Sequence, residues 1–467
     1  MPSFSRSLRF QPFLATCVTL LGLMGCSSSQ PSRPTAVAPT LSPIPHESVP
    51  ASSAPAAAPS PQPYPVMLGI DVLEAQGFAA VKGKRIGLLT HPAGVNRHGE
   101  RTVDVLRRAP GVKLVALYGP EHGINGDADA SAKVADSVDK RTGLPVFSVY
   151  GKYMKPTKAM LKGLDAMVID LQDIGTRSYT FVNVMKWTME SCFENNVEVI
   201  ILDRPNPLGG LKVDGPLLDA KWAVNNQVGA FRVPYVHGLT IGELARMAKD
   251  ELPPGGLAVS DAVRARGKLT VIPMRGWSRA MRWPETGLEW VPTSPGIPTW
   301  EAVEGYPMVG LGAFWDPPRI DTGFRHGIGK AHNFRGISYK GVKDEALEKD
   351  LQALKLPGLR FQRVSALDKE GKPATGIFIE ITDYDQWRPT ELNFYLMKLA
   401  CKLNSKNPFA PGPGRDFKGF LRHMGSDAFL DALQRDGAKI DVEAFLRDWE
   451  AKDKVYQQQS RKYWLYY

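Results

Sequence analysis

The chain has 467 residues, 43% of them hydrophobic and 23% charged, with a formal net charge of +10. That length leaves room for about two or three folded domains, and the absence of an internal repeat or a zinc-type cysteine spacing excludes solenoid and zinc-finger architectures. The positive balance concentrates anionic partners.

The first predicted element is an address. Arg6 and Arg9 form a positive start, and Phe13 to Leu23 form an apolar stretch too short for a comfortable membrane span. Leu23-Met24-Gly25-Cys26 looks like a lipobox, so residues 1–25 are expected to be a lipoprotein signal peptide and Cys26 the lipidated residue. Several acyl chains there would hold the protein firmly to a membrane, and Ser27 after the cysteine favours the outer membrane facing the periplasm. Residues 26–65 are almost all Ser, Pro, Ala, Thr and Val and read as a tether. For an exported chain the anionic partner is then cell-wall glycan or a lipid surface, and no nucleic acid is expected. Only Cys192 and Cys401 remain for pairing; both sit on apolar helical patterns and read as free buried thiols.

From Val66 strands and helices alternate. Arg85–Leu89, Lys113–Tyr118, Pro145–Val149, Asp165–Asp170 and Val197–Asp203 read as strands, and Arg101–Arg108 as a helix. In Thr180–Asn195, Phe181, Met185, Met189 and Cys192 share one helical face. Near-continuous apolar strands alternating with helices predict an α/β fold, a Rossmann-like parallel sheet over 66–255 ending near the helix Ile241–Leu252. Thr240 would cap that helix, with Glu243 completing a capping box. A smaller α/β or α+β C-terminal domain is expected over 256–467. It would hold strands at Leu269–Met274 and Gly376–Ile381, a helix Thr390–Leu403 capped by Thr390, and a helical tail from Asp416.

Ligands of open parallel sheets bind beyond the carboxyl ends of the strands, and the polar motifs fall there. Thr90-His91-Pro92-Ala93-Gly94 follows the first strand and Gly119-Pro120-Glu121-His122-Gly123 the second. Asp170 to Arg177 and Asp203 to Gly210 follow two others. Four clusters mixing turn residues with ionisable ones predict one shared site. No Gly-x-Gly-x-x-Gly, no Walker-type lysine loop and no Gly-x-Ser-x-Gly elbow is present, which leaves carboxylate and histidine chemistry. Glu121 is the candidate general acid or base, and His122 could orient it, share its proton or touch substrate. Asp173 and Asp170 are candidates for a second carboxylate, with Asp170 read more as a turn cap. Arg177 and Arg204 could clamp a substrate carboxylate or pair with a neighbouring aspartate. Tyr179, Asp203, Asn206 and His237 are candidate substrate contacts; packing competes for Tyr179 and turn formation for Asn206. His91, Glu121, His122 and Asp173 are metal-ligand types without a recognisable spacing, so no metal is assigned. Trp277, Trp283, Trp290, Trp300 and Trp315 lie close together in sequence, and indole faces stack on sugar rings.

The same residues carry a family likeness. From Gly69-Ile70-Asp71-Val72-Leu73 through Gly119-Pro120-Glu121-His122-Gly123, Gln172-Asp173-Ile174-Gly175 and Asp203-Arg204-Pro205-Asn206-Pro207-Leu208-Gly209-Gly210, the chain resembles the NamZ-type exo-β-N-acetylmuramidases. The likeness continues through Val213-Asp214-Gly215-Pro216, His237-Gly238-Leu239-Thr240 and Trp290-Val291-Pro292-Thr293-Ser294-Pro295. It implies a Rossmann-like domain with a smaller C-terminal one and an active site in the cleft between them. The implied reaction removes N-acetylmuramic acid from the non-reducing end of peptidoglycan fragments, muramyl-glucosamine glycan. It also implies a catalytic role for Glu121 and no cofactor. Two departures stand out. His91-Pro92 replaces the family's Asn-Gln, and the residues after Tyr306-Pro307 lack its Glu-Gly-Thr-Asn and Gly-Arg-Gly-Thr segments. A lipid-anchored peptidoglycan binder without turnover is the competing expectation, and a metal-assisted hydrolase of another wall bond a third.

Overall fold

The structure, a computed structural model, describes residues 66–128, 132–223, 227–311, 320–329, 332–368 and 370–467. The signal peptide, Cys26, the tether and Trp315 lie outside the described residues.

The first half runs α1 (Gly69–Ala75), β1 (Arg85–Thr90), α2 (Thr102–Arg108), β2 (Lys113–Gly119), β3 (Ser137–Val138), β4 (Pro145–Ser148), β5 (Ala166–Asp170), α3 (Thr180–Glu194), β6 (Glu198–Leu202), α4 (Ile241–Asp250), α5 (Asp261–Arg266) and β7 (Leu269–Ile272). Its strands form one sheet in the order β3-β4-β2-β1-β5-β6-β7, parallel throughout except for β3, which pairs antiparallel with β4. β1 lies centrally, so the winding direction reverses between β1 and β5. That reversal opens a crevice at the carboxyl edge of these two strands. The strands are apolar almost without interruption because both faces are covered. On β5, Met167 and Ile169 join a core with Phe181, Met185, Met189 and Cys192 of α3, while Ala166 and Val168 face Leu73, Val103 and Leu106 under α1 and α2.

The Rossmann-like sheet passes the boundary expected at 255, since β7 extends it by pairing in parallel with β6 from Val199 opposite Leu269 to Leu202 opposite Ile272. The second half contains α6 (Trp300–Val309), β8 (Phe324–His326), β9 (Gly336–Tyr339), α7 (Asp344–Gln352), β10 (Leu359–Leu367), β11 (Pro373–Ile381), α8 (Glu391–Leu403), α9 (Lys418–Met424), α10 (Asp427–Asp436) and α11 (Val442–Ser460). Its strands make a separate antiparallel sheet, β10-β11-β9-β8.

Residues far apart in sequence lock these layers together. The Thr240 hydroxyl accepts from Glu243 N, and Thr240 N donates to the Glu243 carboxylate, the expected capping box of α4. Glu243 also takes two bonds from buried Arg279, at 2.7 and 3.0 Å, and one from Leu465 N at 2.8 Å. Thr390 takes the expected N-cap position of α8, but its side chain does not bond the free N–H groups of the helix. Its N–H and hydroxyl both donate to Asp214 Oδ2 at 2.7 Å, which ties the start of α8 to the loop after β6 instead. Asp453 of α11 is buried beside Asp214; burial, then the Asp214 charge, pushes its carboxyl up to about 9. Cys192 and Cys401 are both free, the first buried and the second half-buried.

Candidate active site

Four of the expected residues meet at the crevice. His91 leaves the end of β1 and is buried. Its Nε2 accepts the Gln172 N–H at 2.9 Å, so the ring proton sits on Nδ1, toward the backbone of Thr293. Burial, with the nearby charges of Arg204 and His122, drops its pKa to about 3, so the ring is neutral and its tautomer fixed. One strand over, Glu121 follows β2, and one of its oxygens accepts from the Thr180 hydroxyl at 2.7 Å. Thr180 opens α3, so this carboxylate lies at the amino end of a 15-residue helix. His122 adopts a φ of +68°, an uncommon conformation for a residue with a Cβ. Its Nδ1 lies 2.6 Å from the Ala128 carbonyl, which can only accept, so Nε2 is the nitrogen left for other partners.

Asp173 follows β5 and is buried. Its Oδ2 accepts from Gly175 N at 2.8 Å and lies 3.5 Å from His237 Nε2, while Oδ1 has no hydrogen-bond partner among the described residues. His237 Nδ1 accepts from Leu239 N, which places the proton on Nε2, facing Asp173. A buried carboxylate oxygen without a partner costs about 1–3 kcal/mol or more and marks a place meant for water or ligand.

Tyr306 of α6 had no place in the expected site, yet it completes it. Its hydroxyl is in hydrogen-bond contact with Ser178, and its pKa is pushed up to about 12 by burial and by the charges of Glu121 and Asp173. It therefore stays protonated, near enough to both carboxylates to feel their charge. The Tyr179 hydroxyl donates to Thr293 Oγ1 at 2.8 Å, and its ring meets Tyr306 edge-on at 6.2 Å. Tyr179 thus lies in the site wall, tied to the Trp290–Pro295 strip. Half-buried Trp290 packs edge-on against Trp283 at 4.9 Å.

Other expected contacts are turned away from the crevice. Arg177 does not present its guanidinium to a substrate carboxylate. The group is buried, lies over the Tyr235 ring and donates to the carbonyls of Arg422, Pro216 and Met424 at 3.3–3.5 Å, closing the end of α9. Arg204 pairs with Asp170 through Nε at 2.6 Å and Nη2 at 3.0 Å, and Asp170 also accepts from Thr102, so these two neutralise one another. Asp203 is consumed by the fold, accepting from Tyr466 at 2.6 Å, Thr240 at 2.8 Å and Gly242 N at 2.8 Å. Asn206 shapes its own turn, accepting from Leu208 N and donating to the Leu239 carbonyl. Trp277 is core, packed edge-on against Tyr466 at 5.0 Å. Among the described residues no three His, Cys, Asp or Glu side chains converge as metal ligands.

A Rossmann-like sheet that brings two buried carboxylates, a fixed neutral histidine and a protonated tyrosine to its crevice defines an acid–base enzyme of the carboxylate type. The family model for the N-terminal part of the exo-beta-N-acetylmuramidase NamZ matches residues 86–301, and that for its C-terminal part matches residues 320–466. Over 410 residues the chain is 38% identical to the peptidoglycan beta-N-acetylmuramidase NamZ of Bacillus subtilis (strain 168), covering 86% of this chain and 91% of that protein. The chain belongs to the NamZ exo-beta-N-acetylmuramidase family. Two solved DUF1343 family proteins of Bacteroides fragilis NCTC 9343 share the fold. One is 35% identical with a TM-score of 0.74, covering 88% of this chain and 100% of that one; the other is 25% identical with a TM-score of 0.64, covering 86% and 99%. Of the residues after Tyr306-Pro307 read as departing from the family pattern, 308–315 fall between the two family matches, whereas Phe324–Gly329 lie inside the C-terminal one.

Proposed function

We propose that this chain is a glycoside hydrolase that releases N-acetylmuramic acid from the non-reducing end of peptidoglycan fragments. The observation that carries the assignment of roles is the placement of Glu121 after β2 and Asp173 after β5, on either side of β1 at one strand-end crevice, with Asp173 Oδ1 left without a partner among the described residues. Glycosidases need two carboxyl groups flanking the scissile bond. Glu121 protonates the glycosidic oxygen as the bond to the anomeric carbon breaks. Asp173, steadied by Gly175 N and His237, faces the positive charge that develops on the sugar or takes the proton of the attacking water. The reaction consumes only water.

The test is mass-spectrometric detection of free N-acetylmuramic acid from muramyl-glucosamine disaccharide and from endolytically digested peptidoglycan. Release by the wild-type chain and not by Glu121→Gln supports the reading. Tight disaccharide binding without release by wild type would replace it with a binding role.

The lipobox-like Leu23–Cys26 supports an exported, lipid-anchored form, placed on the outer membrane by Ser27. No helix among the described residues is long and apolar enough to cross a membrane. Metabolic labelling with a fatty acid checks this, with Cys26→Ser expected to lose the label and leave the membrane fraction.

A further inference from the structure

Tyr306 reaches the crevice from α6, outside the strand-end loops that carry the other site residues, so something beyond the first sheet must fix its place. Its ring meets Tyr179 edge-on at 6.2 Å and Phe334 edge-on at 5.0 Å. Phe334 in turn stacks on His326 of β8, with ring centroids 4.7 Å apart and planes 12° from parallel. Four rings therefore run from the crevice wall to the second sheet, and Phe334 is the link between α6 and that sheet.

The backbone at this link is unusual. Phe334 has a φ of +57°, in the left-handed region, where an aromatic side chain is strained. Such strain persists only where the surroundings over-determine it, and both neighbours of Phe334 are tied down. Asn333 Nδ2 donates to the carbonyl of Gly296, just past the Trp290–Pro295 strip, at 3.0 Å. Buried Arg335 donates to Glu304 of α6 and to the Ile379 carbonyl of β11, each at 2.7 Å. The helix makes room for the approach. A Cβ on Gly305 would stand 2.4 Å from the Phe334 carbonyl oxygen, and one on Gly310 would stand 3.1 Å from the Phe334 ring. Gly305 also lies inside α6, where glycine weakens a helix. Backbone strain and a helical glycine thus fall on one contact, one residue from Tyr306.

We infer that Phe334 is a positioning residue of the hydrolysis: wedged between α6 and the second sheet, it sets the place of the Tyr306 phenol beside Glu121 and Asp173. The inference rests on the glycosidase reading above. Phe334 acts through Tyr306. A phenol moved by about an ångström changes the field at both carboxylates, and a displacement of that size can lower a rate about 100-fold.

The experiment measures kcat and KM across pH for release of N-acetylmuramic acid from muramyl-glucosamine disaccharide. It compares wild type, Phe334→Leu, Tyr306→Phe and the double variant. Phe334→Leu is expected to lower kcat about tenfold or more, to change KM by no more than about twofold, and to displace the pH profile as Tyr306→Phe does. With Tyr306 already replaced, the same substitution should leave kcat within about twofold, because the group it acts through is gone. Phe334→Tyr keeps the ring contact and should hold kcat near wild type. Gly305→Ala favours the helix but presses on the Phe334 carbonyl; it should repeat the Phe334→Leu pattern, and decides the matter if that variant does not fold. Equal losses of kcat with and without the Tyr306 hydroxyl, a change in KM alone, or an unmoved pH profile would overturn the inference. No release by wild type would instead sink the glycosidase reading itself.

Discussion

Replacing Glu121 by Gln keeps an acceptor for the Thr180 hydroxyl and removes the proton a leaving oxygen needs. Turnover of the disaccharide should fall by about 10²–10⁴-fold with the melting temperature almost unchanged, measured by product release and by calorimetry. Tyr306→Phe should act differently. The phenol stays protonated near enough to Glu121 and Asp173 to feel both charges, so its loss removes a dipole beside them and should shift the pH profile of kcat as well as its height. Arg177 carries the opposite expectation. With its guanidinium spent on three carbonyls, Arg177→Ala should cost about 2–4 kcal/mol in denaturant unfolding, with activity per folded molecule changed little. The sequence could nominate Arg177 and Arg204 as cations near the strand ends. It could not tell a cation facing a ligand from one satisfied by carbonyls or by Asp170, because that depends on where α9 and β5 end in space. Tyr306 was out of reach for a related reason: it lies far along the chain from every strand-end motif, and its only local signal was the Tyr-Pro dipeptide.

The elements of the first half were legible because buried parallel strands are apolar along their whole length. Leu88, Val168 and Ile200 face one layer while Leu89, Ile169 and Ile201 face the other, so each strand stands out as an unbroken run. In the second sheet Gly376–Ile381, within β11, reads as a strand, but its other strands offer no such runs. β10 alternates exposed and half-buried residues around a single buried Phe361, and β8 has only three residues. α11 carries a prediction of its own. Asp453 is raised from an ordinary 3.8 to about 9, so the folded protein holds this proton more tightly than the unfolded chain. Its contribution to stability is whole below about pH 4 and is lost as the pH climbs toward 9. Asp453→Asn should therefore match wild type in thermal unfolding near pH 4 and exceed it by more than about 1 kcal/mol at pH 8. An unchanged difference across that range would mean Asp453 is not buried beside Asp214 as described.

Across the whole molecule, the loops that end the first sheet are finished by residues from the far end of the chain. The Tyr466 hydroxyl donates to Asp203 and accepts from Met274 N, Leu465 N donates to Glu243, and Val66 packs with Tyr466 in one small core. A fragment covering residues 66–301 would leave Asp203 and Glu243 buried with partners missing. It should give poorly cooperative unfolding and little soluble product, and adding residues 302–467 as a separate chain should restore it in part. The same closure orders events in time. A ribosome makes Asp203 and its crevice long before it makes Tyr466, so the nascent first half waits, its strand ends still hydrated, for that residue to emerge. Closing the Asp203 loop is thus a step that follows the synthesis of Tyr466.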